Sequence, residues 1–310
     1  MILVLGRKYK FTHFEMQRLS KKFKNITVIK YTHRESHEVL DELTQNLRDK
    51  ECNIIVLNTQ DMVTDELIRY LTNVQFEQRE KELEIMTIEH FLERYLHKCY
   101  IPLDHKDLHF LEDIKPYSKW QYFQKKGIDY FGLFWLFFFS WPVLFFCKNK
   151  IQDQSPGSIL FTQTRIGVRN KDFKCLKFRT MHENSHHALY TKDNDTRIFP
   201  FAHIMRKARF DELPQMWNIL KGDMHLIGPR AEWNILVEEY EKALPYYNER
   251  HLVRPGITGW AQVNYPYGRN IEDTRQKLMY DLYYIKYWNI KLEMKIVWMT
   301  AMTVMKKKGL

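Results

Sequence analysis

One apolar block constrains this chain more than any other feature. The block runs from Ile128 to Cys147, reads IDYFGLFWLFFFSWPVLFFC, and has lysines on both sides, at positions 125, 126, 148 and 150. About 20 apolar residues are enough to cross the hydrocarbon core of a bilayer as a helix. Pro142 lies inside the block and removes one helical hydrogen bond, and lysines favour the cytoplasmic side of a membrane. A bent helix, about residues 121–148, that enters the membrane and leaves on the side it entered satisfies these facts, and a helix that spans the bilayer is the alternative.

Length and composition favour a protein of two domains with an anionic partner. The chain has 310 residues, of which 45% are hydrophobic, and domains average roughly 150 residues. Its formal net charge of +10 predicts binding to nucleic acid, anionic lipid or phosphorylated substrates. The four cysteines are scattered, with no CxxC pair, which is typical of reduced cytosolic thiols. The five apolar residues at the start are too few for a signal peptide and predict a short strand instead.

Residues 1–115 predict a small α/β domain with a parallel sheet. Strand patterns (ILVLG, ITVIKY and NIIVLN) alternate with helix patterns at residues 14–23, 38–48, 65–73 and 88–100. Such alternation is typical of parallel α/β domains. Gly6 is the only glycine before Gly127, so this half lacks a glycine-rich phosphate loop. We expect a regulatory or docking role for it, and its surface offers a place for a homodimer to form.

Residues 116–310 predict a mostly helical, loop-rich domain that carries the apolar helix. Glycines and prolines cluster from Gln154 onward, as in SPG, LP, GPR and RPG, and such punctuation indicates short helices joined by functional loops. The segment from Tyr283 to Lys308 mixes tryptophan and aliphatic residues with lysines. That mixture suits a helix in the lipid headgroup layer, and it equally suits a helix packed in the core with a solvated tail.

Two adjacent carboxylates, Asp211 and Glu212, are the first candidates for chemistry. They follow a basic stretch that includes Arg206 and Arg209 and precede Pro214. Two acids that face several cations can hold a divalent metal, or serve as nucleophile and base. The same pair also suits an ordinary helix N-terminus, where acids complement the helix dipole.

Cations beside glycine and proline turns are the second candidates. Lys177 and Arg179 lie two residues apart in CLKFRTM, so an extended segment would point both side chains to one face. Arg230 follows a Gly-Pro pair, and Arg254 precedes a Pro-Gly pair. Arginine offers a planar fork to phosphate oxygens, so this placement indicates a diphosphate site. A solvated basic surface is the alternative interpretation.

Four segments carry a resemblance to a known family. KFRTM, DELPQMWNILKGDMHLIGPR, RPGITGWAQVN and KLMYDLYYIKYWNIKLEMKI occur in that order and resemble the bacterial sugar transferase family. Its members are monotopic polyprenyl-phosphate sugar-phosphotransferases, which begin exopolysaccharide and lipopolysaccharide biosynthesis at the cytoplasmic face of the inner membrane. The resemblance covers about residues 121–308, and residues 1–115 resemble the soluble regulatory portion of larger members. The chain departs from the family pattern where Trp141 separates Ser140 from Pro142, and where Ala231 replaces the usual proline after Gly-Pro-Arg.

The resemblance implies a mechanism with a covalent intermediate. Asp211 would attack the β-phosphate of a UDP-sugar, expel UMP, and carry the sugar-phosphate until undecaprenyl phosphate accepts it. Asp211 and Glu212 would hold Mg²⁺. Catalytic cations that stabilise phosphoryl charge would be Lys177, Arg179 and Arg230, with Arg230 also contacting substrate. Further substrate-binding positions implied by the family motifs are Arg206, Asp223 and Arg254.

Other interpretations have weaker support in the sequence. His182, His186 and His187 are poorly spaced for a metal site, and Asp193 with Asp195 lacks the glycine and final glutamate of a calcium loop. A non-catalytic membrane scaffold that regulates glycan assembly is the alternative from another functional class. A nucleic-acid partner is not expected, since the aromatic residues lie in apolar runs rather than between basic residues. No motif reports which sugar is carried.

Overall fold

The computed structural model describes residues 1–31, 34–49, 52–59, 63–77, 83–102, 112–183, 195–265, 268 and 270–305. The chain forms two compact units, Met1–Tyr100 and Ile101–Leu310. The boundary predicted from the sequence, at residue 115, falls inside the second unit.

The first unit contains a small parallel sheet, as the sequence predicts. Its strands among the described residues are β1 (Ile2–Leu5), β2 (Ile26–Ile29), β3 (Ile54–Leu57) and β4 (Glu84–Thr87). They lie in the order β2-β1-β3-β4, and Ile2 is level with Ile26 on one side and Ile54 on the other. The connecting helices are α1 (His13–Ser20), α2 (Ser36–Asp49) and α3 (Asp65–Glu77). The predicted α/β class is therefore confirmed.

The end of the first unit differs from the prediction of one helix over 88–100. Helix α4 (Ile88–Phe91) follows β4 directly and continues as a π-helical turn over Leu92–Leu96. His97 ends this turn in the left-handed conformation, with φ of 56°. Strand β4 escapes sequence detection because only Met86 of its four residues is buried, so it lacks the continuous apolar run of a central parallel strand.

The crevice at the carboxyl ends of β1 and β3 is closed by the protein itself. Asn58 accepts a hydrogen bond from the Tyr9 amide at 2.7 Å and donates to the Tyr9 carbonyl at 2.9 Å. Gly6 has φ of +96°, and a Cβ there would lie 2.5 Å from the Asn58 carbonyl oxygen. The loop after β1 is thus bound to the loop after β3, at the position where doubly wound sheets usually bind ligands.

In the second unit the apolar block forms one long helix, α5 (Lys119–Gln154), which is longer than predicted. Ser118 caps it: its hydroxyl accepts from the Gln121 amide at 3.2 Å, and the Gln121 side chain accepts from the Ser118 amide at 2.8 Å. Pro142 lies inside the helix, so the Phe138 carbonyl loses its usual helical partner. A straight helix of 36 residues would be about 54 Å long.

Helix α5 has one buried face and a broad exposed apolar face. The buried residues recur at intervals of four or seven: Lys125, Asp129, Leu133, Ser140, Cys147 and Ile151. Large side chains dominate the exposed face: Phe131, Phe134, Phe137, Phe138, Phe139, Trp141, Phe145 and Phe146. The helix is long and apolar enough to cross a membrane, and only 17% of its most apolar window is buried. A patch of this size on a protein surface marks an apolar partner or a membrane.

Short elements joined by loops make up the rest of the second unit, which confirms the mostly helical prediction. The strands are β5 (Leu160–Ile166), β6 (Asp172–Phe178), β7 (His225–Ile227) and β8 (Gly256–Thr258). The helices are α6 (Pro200–Ala208), α7 (Gln215–Lys221), α8 (Asn234–Ala243), α9 (Trp260–Asn264), α10 (Ile271–Lys286) and α11 (Ile290–Met305), with 3₁₀ turns at Phe210–Glu212 and Tyr247–Leu252. Strands β5 and β6 pair antiparallel, whereas β7 and β8 pair parallel.

Two apolar clusters attach α5 to these elements. The first joins Cys147 and Ile151 of α5 to residues of β6 and α6. The second joins Leu133 of α5 to residues of β6 and α7. All four cysteines are free and buried.

Helix α11 combines the two alternatives that the sequence left open. Leu292, Glu293 and Ile296 are buried, so one face packs in the core. Val297 and Trp298 are exposed, so another face presents apolar surface outward. The lysines at 306–308 lie outside the described residues.

Candidate active site

The two candidate carboxylates lie on a turn that is anchored at both ends. Arg209 ends α6 in the left-handed conformation, with φ of 61°, which is uncommon for a residue other than glycine. The 3₁₀ turn Phe210–Glu212 follows. Phe210 packs on the first apolar cluster and Leu213 on the second, so the segment that carries Asp211 and Glu212 is held between two cores.

The β5–β6 hairpin brings cations to this turn. Lys177 lies opposite Phe161, and Arg165 lies opposite Phe173. Directly opposed residues, and residues two apart on one strand, share a face of the hairpin. Lys177 and Arg165 therefore project from the same face.

Glu212 is the centre of a cluster of three cations, here called the Glu212 cluster (Lys177, Arg209, Glu212 and Arg230). Its Oε1 atom lies 3.0 Å from Lys177 Nζ and 3.4 Å from Arg230 Nη1, and its Oε2 atom lies 3.6 Å from Arg209 Nη1. Burial of Glu212, which is 6% exposed, opposes ionisation, but the charges of Lys177, Arg230 and Arg209 outweigh it and hold the pKa well below its usual range. Glu212 is thus ionised, and three cations surround one carboxylate.

Asp211 differs from its neighbour in having no partner. Among the described residues it makes no hydrogen bond or ion pair. Burial raises the pKa of its carboxyl group, the charge of Lys177 opposes that rise, and Glu212 adds to it. A half-buried carboxylate with free oxygens beside an excess of positive charge is suited to attack a phosphoryl group.

Lys177 and Arg206 complete the electrostatic surroundings of Asp211. Burial lowers the pKa of the Lys177 ammonium, and the charge of Glu212 opposes this shift. Arg206 donates from Nε and Nη2 to the Thr180 hydroxyl at 3.0 and 2.9 Å, and its charge favours ionisation of Asp211. The structure therefore brings these two predicted residues together with Asp211.

Arg179, predicted to stabilise phosphoryl charge, is used elsewhere. It is 6% exposed and donates from Nη1 to the Ser155 hydroxyl at 2.6 Å. Its Nε and Nη2 atoms donate to the carbonyls of Ser158 and Ser155. All three nitrogens thus bind the segment that links α5 to the hairpin, so the geometry indicates a positioning role.

Asp223 and Arg254 also lie apart from the Glu212 cluster. Asp223 accepts a hydrogen bond from Asn218 at 3.1 Å, at the end of α7. Arg254 donates to the Tyr122 hydroxyl at 2.5 Å and lies over the Tyr122 ring at 5.2 Å. Within the described part of the chain, neither makes a hydrogen bond or ion pair with the cluster.

Sequence reasoning missed the contribution of Arg165. Its Nη1 atom donates to the Ala231 carbonyl, and its Nη2 atom donates to Gln163 at 2.9 Å. It therefore fixes the backbone next to Arg230, at the position where the family pattern has proline. Strand alternation with Lys177 across a hairpin is the sequence signal that would have identified it.

A second buried polar group was also missed, here called the Glu293 network (Lys125, Tyr284, Trp288 and Glu293). Lys125 Nζ lies 2.7 and 2.8 Å from the two Glu293 carboxylate oxygens. Tyr284 and Trp288 donate to the same carboxylate at 2.5 and 2.7 Å. Both charged side chains are fully buried, so this network joins α5 to α10 and α11 without access to solvent.

Protein ligands for a metal are few at the candidate site. No group of three or more His, Cys, Asp or Glu side chains in the described ranges can hold a metal ion. Both oxygens of Glu212 face cations, whereas those of Asp211 contact no donor among the residues that the structure describes. Magnesium commonly uses one or two carboxylates together with substrate phosphates and waters. Asp211 has oxygens available for that role, whereas the Glu212 oxygens are paired with Lys177, Arg209 and Arg230.

The remaining candidate residues add no site. The His182 ring lies 5.9 Å from the Phe199 ring, and Asp195 forms an ion pair with Arg197 at 2.5 Å. His186, His187 and Asp193 lie outside the described residues.

Comparison with known proteins matches the second unit to a family model and the chain to several relatives. The family model described as bacterial sugar transferase matches residues 120–307. A UDP-N-acetylgalactosamine-undecaprenyl-phosphate N-acetylgalactosaminephosphotransferase of Aeromonas hydrophila is 40% identical over 207 residues, which cover 66% of this chain and 49% of that protein. A UDP-glucose:undecaprenyl-phosphate glucose-1-phosphate transferase of Xanthomonas campestris pv. campestris is 38% identical over 173 residues, which cover 54% and 36%.

A shorter relative is matched over most of its length. An uncharacterized sugar transferase of Bacillus subtilis (strain 168) is 35% identical over 172 residues, which cover 54% of this chain and 80% of that protein. The chain spans about half, or less, of the length of the Aeromonas and Xanthomonas relatives.

Proposed function

Because the chain belongs to the bacterial sugar transferase family, we propose that it transfers a sugar-1-phosphate from a UDP-sugar to undecaprenyl phosphate and releases UMP. The names of the Aeromonas and Xanthomonas relatives support this class of donor and acceptor. The observation that carries the proposal is the contrast between adjacent carboxylates: Glu212 is paired with three cations, and Asp211 has free oxygens.

In the first step, a carboxylate oxygen of Asp211 attacks the β-phosphorus of the donor. The bond from that phosphorus to the bridging oxygen breaks, and the electron pair leaves with the oxygen on UMP. The product on the protein is an acyl phosphate, in which the sugar-phosphate is joined to the Asp211 carboxylate as a mixed anhydride. Lys177 and Arg230, which are held by Glu212 at 3.0 and 3.4 Å, would stabilise the charge on the transferred phosphoryl group.

In the second step, a phosphate oxygen of undecaprenyl phosphate attacks the same phosphorus. The bond to Asp211 breaks and its carboxylate is regenerated, so the product is an undecaprenyl-diphosphate sugar. A covalent intermediate divides one reaction between two anionic substrates into two easier displacements. Each displacement then needs only one anionic substrate to approach the cations at a time.

In the proposed mechanism, Asp211 is the carboxylate that would bind Mg²⁺. The ion would neutralise the donor diphosphate, with oxygen ligands supplied mostly by phosphates and waters. Glu212 instead holds Lys177, Arg209 and Arg230 in place. Arg206 acts on Asp211 through charge, and Arg179 positions the end of α5 against the hairpin.

We place the active site at the cytoplasmic surface of the inner membrane, with α5 as a re-entrant helix. Lys125, near the start of α5, and Ile151, near its end, both pack on the same compact unit. A helix that crossed the bilayer would carry its two ends to opposite sides, so these contacts favour a monotopic arrangement. Trp217 and Leu220 on α7, next to the catalytic turn, are exposed apolar residues that suit contact with lipid.

We propose that the first unit has a regulatory or docking role and provides the surface through which a homodimer forms. Its phosphate loop is absent from the sequence, and its ligand crevice is closed by Tyr9 and Asn58. Light scattering of the detergent-solubilised chain should give the mass of two copies. A mass of one copy at assay concentration would argue against the dimer.

The test of the proposed function is UMP release. The purified chain in detergent is assayed with a panel of UDP-sugars, undecaprenyl phosphate and Mg²⁺. We expect at least one donor to give UMP and an undecaprenyl-diphosphate sugar in equal amounts. Membrane binding without UMP release from any donor would instead support the alternative of a non-catalytic scaffold.

A further inference from the structure

A polar cavity lies beside Arg230, whose backbone carbonyl accepts a hydrogen bond from the cavity residue Arg250 at 2.8 Å. It has a volume of about 110 Å³, and its polar lining consists chiefly of Glu232, Tyr240, Tyr247, Arg250, Lys277 and Asp281. These residues come from the extended segment after Arg230, from helices α8 and α10, and from the 3₁₀ turn at Tyr247–Leu252. None of them has a role in the mechanism above.

The cavity contains cationic donors that the protein leaves unused. Lys277 makes no hydrogen bond or ion pair among the described residues. Arg250 is 4% exposed and binds the Tyr247 hydroxyl at 2.7 Å and Asp281 at 2.9 Å, but its Nε–H has no partner. Buried donors are normally paired, so the Arg250 Nε–H, together with the partly buried Lys277 ammonium beside it in the cavity, indicates a missing acceptor.

Arg230 connects this cavity to the Glu212 cluster. Its side chain lies 3.4 Å from Glu212, while its backbone carbonyl accepts a hydrogen bond from Arg250 at 2.8 Å. Burial lowers the pKa of Lys277, and the charge of Arg230 contributes to that shift. Glu232 follows Arg230 by two residues in an extended segment, so the two side chains share one side of it. A ligand bound at Arg230 can therefore extend into the cavity.

We infer that this cavity receives the α-phosphate and ribose of the nucleotide that leaves the donor, with Lys277 and Arg250 facing the phosphate and Glu232 accepting hydrogen bonds from ribose hydroxyls. The inference rests on the proposed function. When the bond to the β-phosphorus breaks, the bridging oxygen stays on the α-phosphate with its electron pair, and Lys277 compensates the added charge. No proton transfer is needed, since the leaving phosphate is released as an anion.

The size of the cavity matches part of a nucleotide. Sites for whole small molecules begin at roughly 300 Å³, whereas this cavity has about 110 Å³. It accommodates a phosphate with the adjoining ribose edge, so the base remains outside. Binding should therefore depend on the phosphate and the ribose rather than on the base.

Calorimetric titration of the full chain in detergent tests this assignment. UMP, uridine and inorganic phosphate are titrated into the wild type, Lys277→Gln, Lys277→Arg and Glu232→Gln. The control is Lys242→Gln, which removes an exposed lysine from α8. Lys277→Gln should weaken UMP binding about tenfold or more, because a hydrogen bond to a charged group is lost, and should leave uridine binding unchanged. Lys277→Arg and the control should retain UMP binding.

Glu232→Gln tests the contact with ribose. It should weaken the binding of both UMP and uridine but not the binding of inorganic phosphate. Wild-type UMP affinity in a folded Lys277→Gln variant would overturn the inference, as would inorganic phosphate binding as tightly as UMP. UMP release by the wild type, measured in the same preparation, separates the two proposals. Release that continues with unaltered UMP affinity in Lys277→Gln rejects only the cavity assignment, and absence of release rejects both.

Discussion

The Glu212 cluster and the Glu293 network are two buried polar groups of the same unit, and they differ in charge balance. In the Glu293 network, one lysine meets both oxygens of one carboxylate, and Tyr284 and Trp288 also donate to its Oε1 atom. In the Glu212 cluster, three cations meet one carboxylate. The first arrangement is complete without a ligand. The second carries excess positive charge, beside the Asp211 carboxylate, which has no hydrogen-bond or ion-pair partner among the described residues.

We interpret this difference as one between a structural group and the proposed catalytic group. A sealed ion pair has no capacity left for substrate, and breaking it leaves a buried charge. A cluster with surplus cations is prepared for phosphates, and its fixed geometry avoids reorganisation during reaction. Four predictions test the comparison.

The largest effect is expected from Asp211→Asn. The amide cannot form the acyl phosphate, so UMP release and lipid product should both disappear, while the melting temperature stays near that of the wild type. Activity and thermal unfolding are measured on the same preparation. Asp172→Asn, at an exposed position on β6, is the control and should remain active. Robust turnover by Asp211→Asn would show that Asp211 is not the nucleophile.

Lys177→Gln should lower the rate of transfer by about a hundredfold, the effect typical of losing one preorganised donor to transition-state charge. Lys174→Gln provides a matched control, because Lys174 is exposed on the opposite face of the same strand. Steady-state kinetics with a preferred donor check both variants. Equal transfer rates for Lys177→Gln and Lys174→Gln would show that Lys177 takes no part in the reaction.

Glu293→Gln should reduce stability rather than chemistry. It leaves Lys125 buried without its counter-ion, which typically costs about 3–5 kcal/mol. Denaturant unfolding in detergent measures the loss, with the exposed Glu238→Gln as control. An unchanged unfolding free energy would show that the network contributes nothing to holding α5 in place.

The smallest effect is a shift in the pH profile. Burial raises the pKa of Asp211, and the reaction needs the ionised form, so kcat/KM should fall as pH drops through a value above 3.8. Burial also lowers the pKa of Lys177, so activity should fall again as pH rises through a value below 10.5. In Lys177→Arg this loss of activity at high pH should move beyond the measured pH range, because arginine stays protonated. If the loss of activity at high pH occurs at the same pH in Lys177→Arg, it reports the ionisation of a group other than Lys177.

The sequence was informative where pattern and chemistry coincide. Alternating apolar runs predicted the parallel sheet, and the block at 128–147 predicted the long helix. The family motifs identified Asp211, Glu212, Lys177, Arg206 and Arg230 as a group, and the structure brings them together. These features depend on local periodicity or on residues close in the chain.

Long-range contacts account for what the sequence did not reveal. Lys125 and Glu293 are 168 residues apart, and no local pattern indicates that they meet. Arg179 shares the extended segment of Lys177, yet its guanidinium turns to Ser155 and Ser158. The left-handed residue Arg209, which directs the catalytic turn, has none of the glycine signal that usually marks such a position.

The most direct test is rapid-quench mass spectrometry of the full chain mixed with its preferred UDP-sugar in the absence of undecaprenyl phosphate. The account predicts a peptide containing Asp211 that gains the mass of one sugar-phosphate, formed together with UMP and removed when the acceptor is added. Accumulation of the undecaprenyl-diphosphate sugar, with no adduct on that peptide at any time, would contradict it.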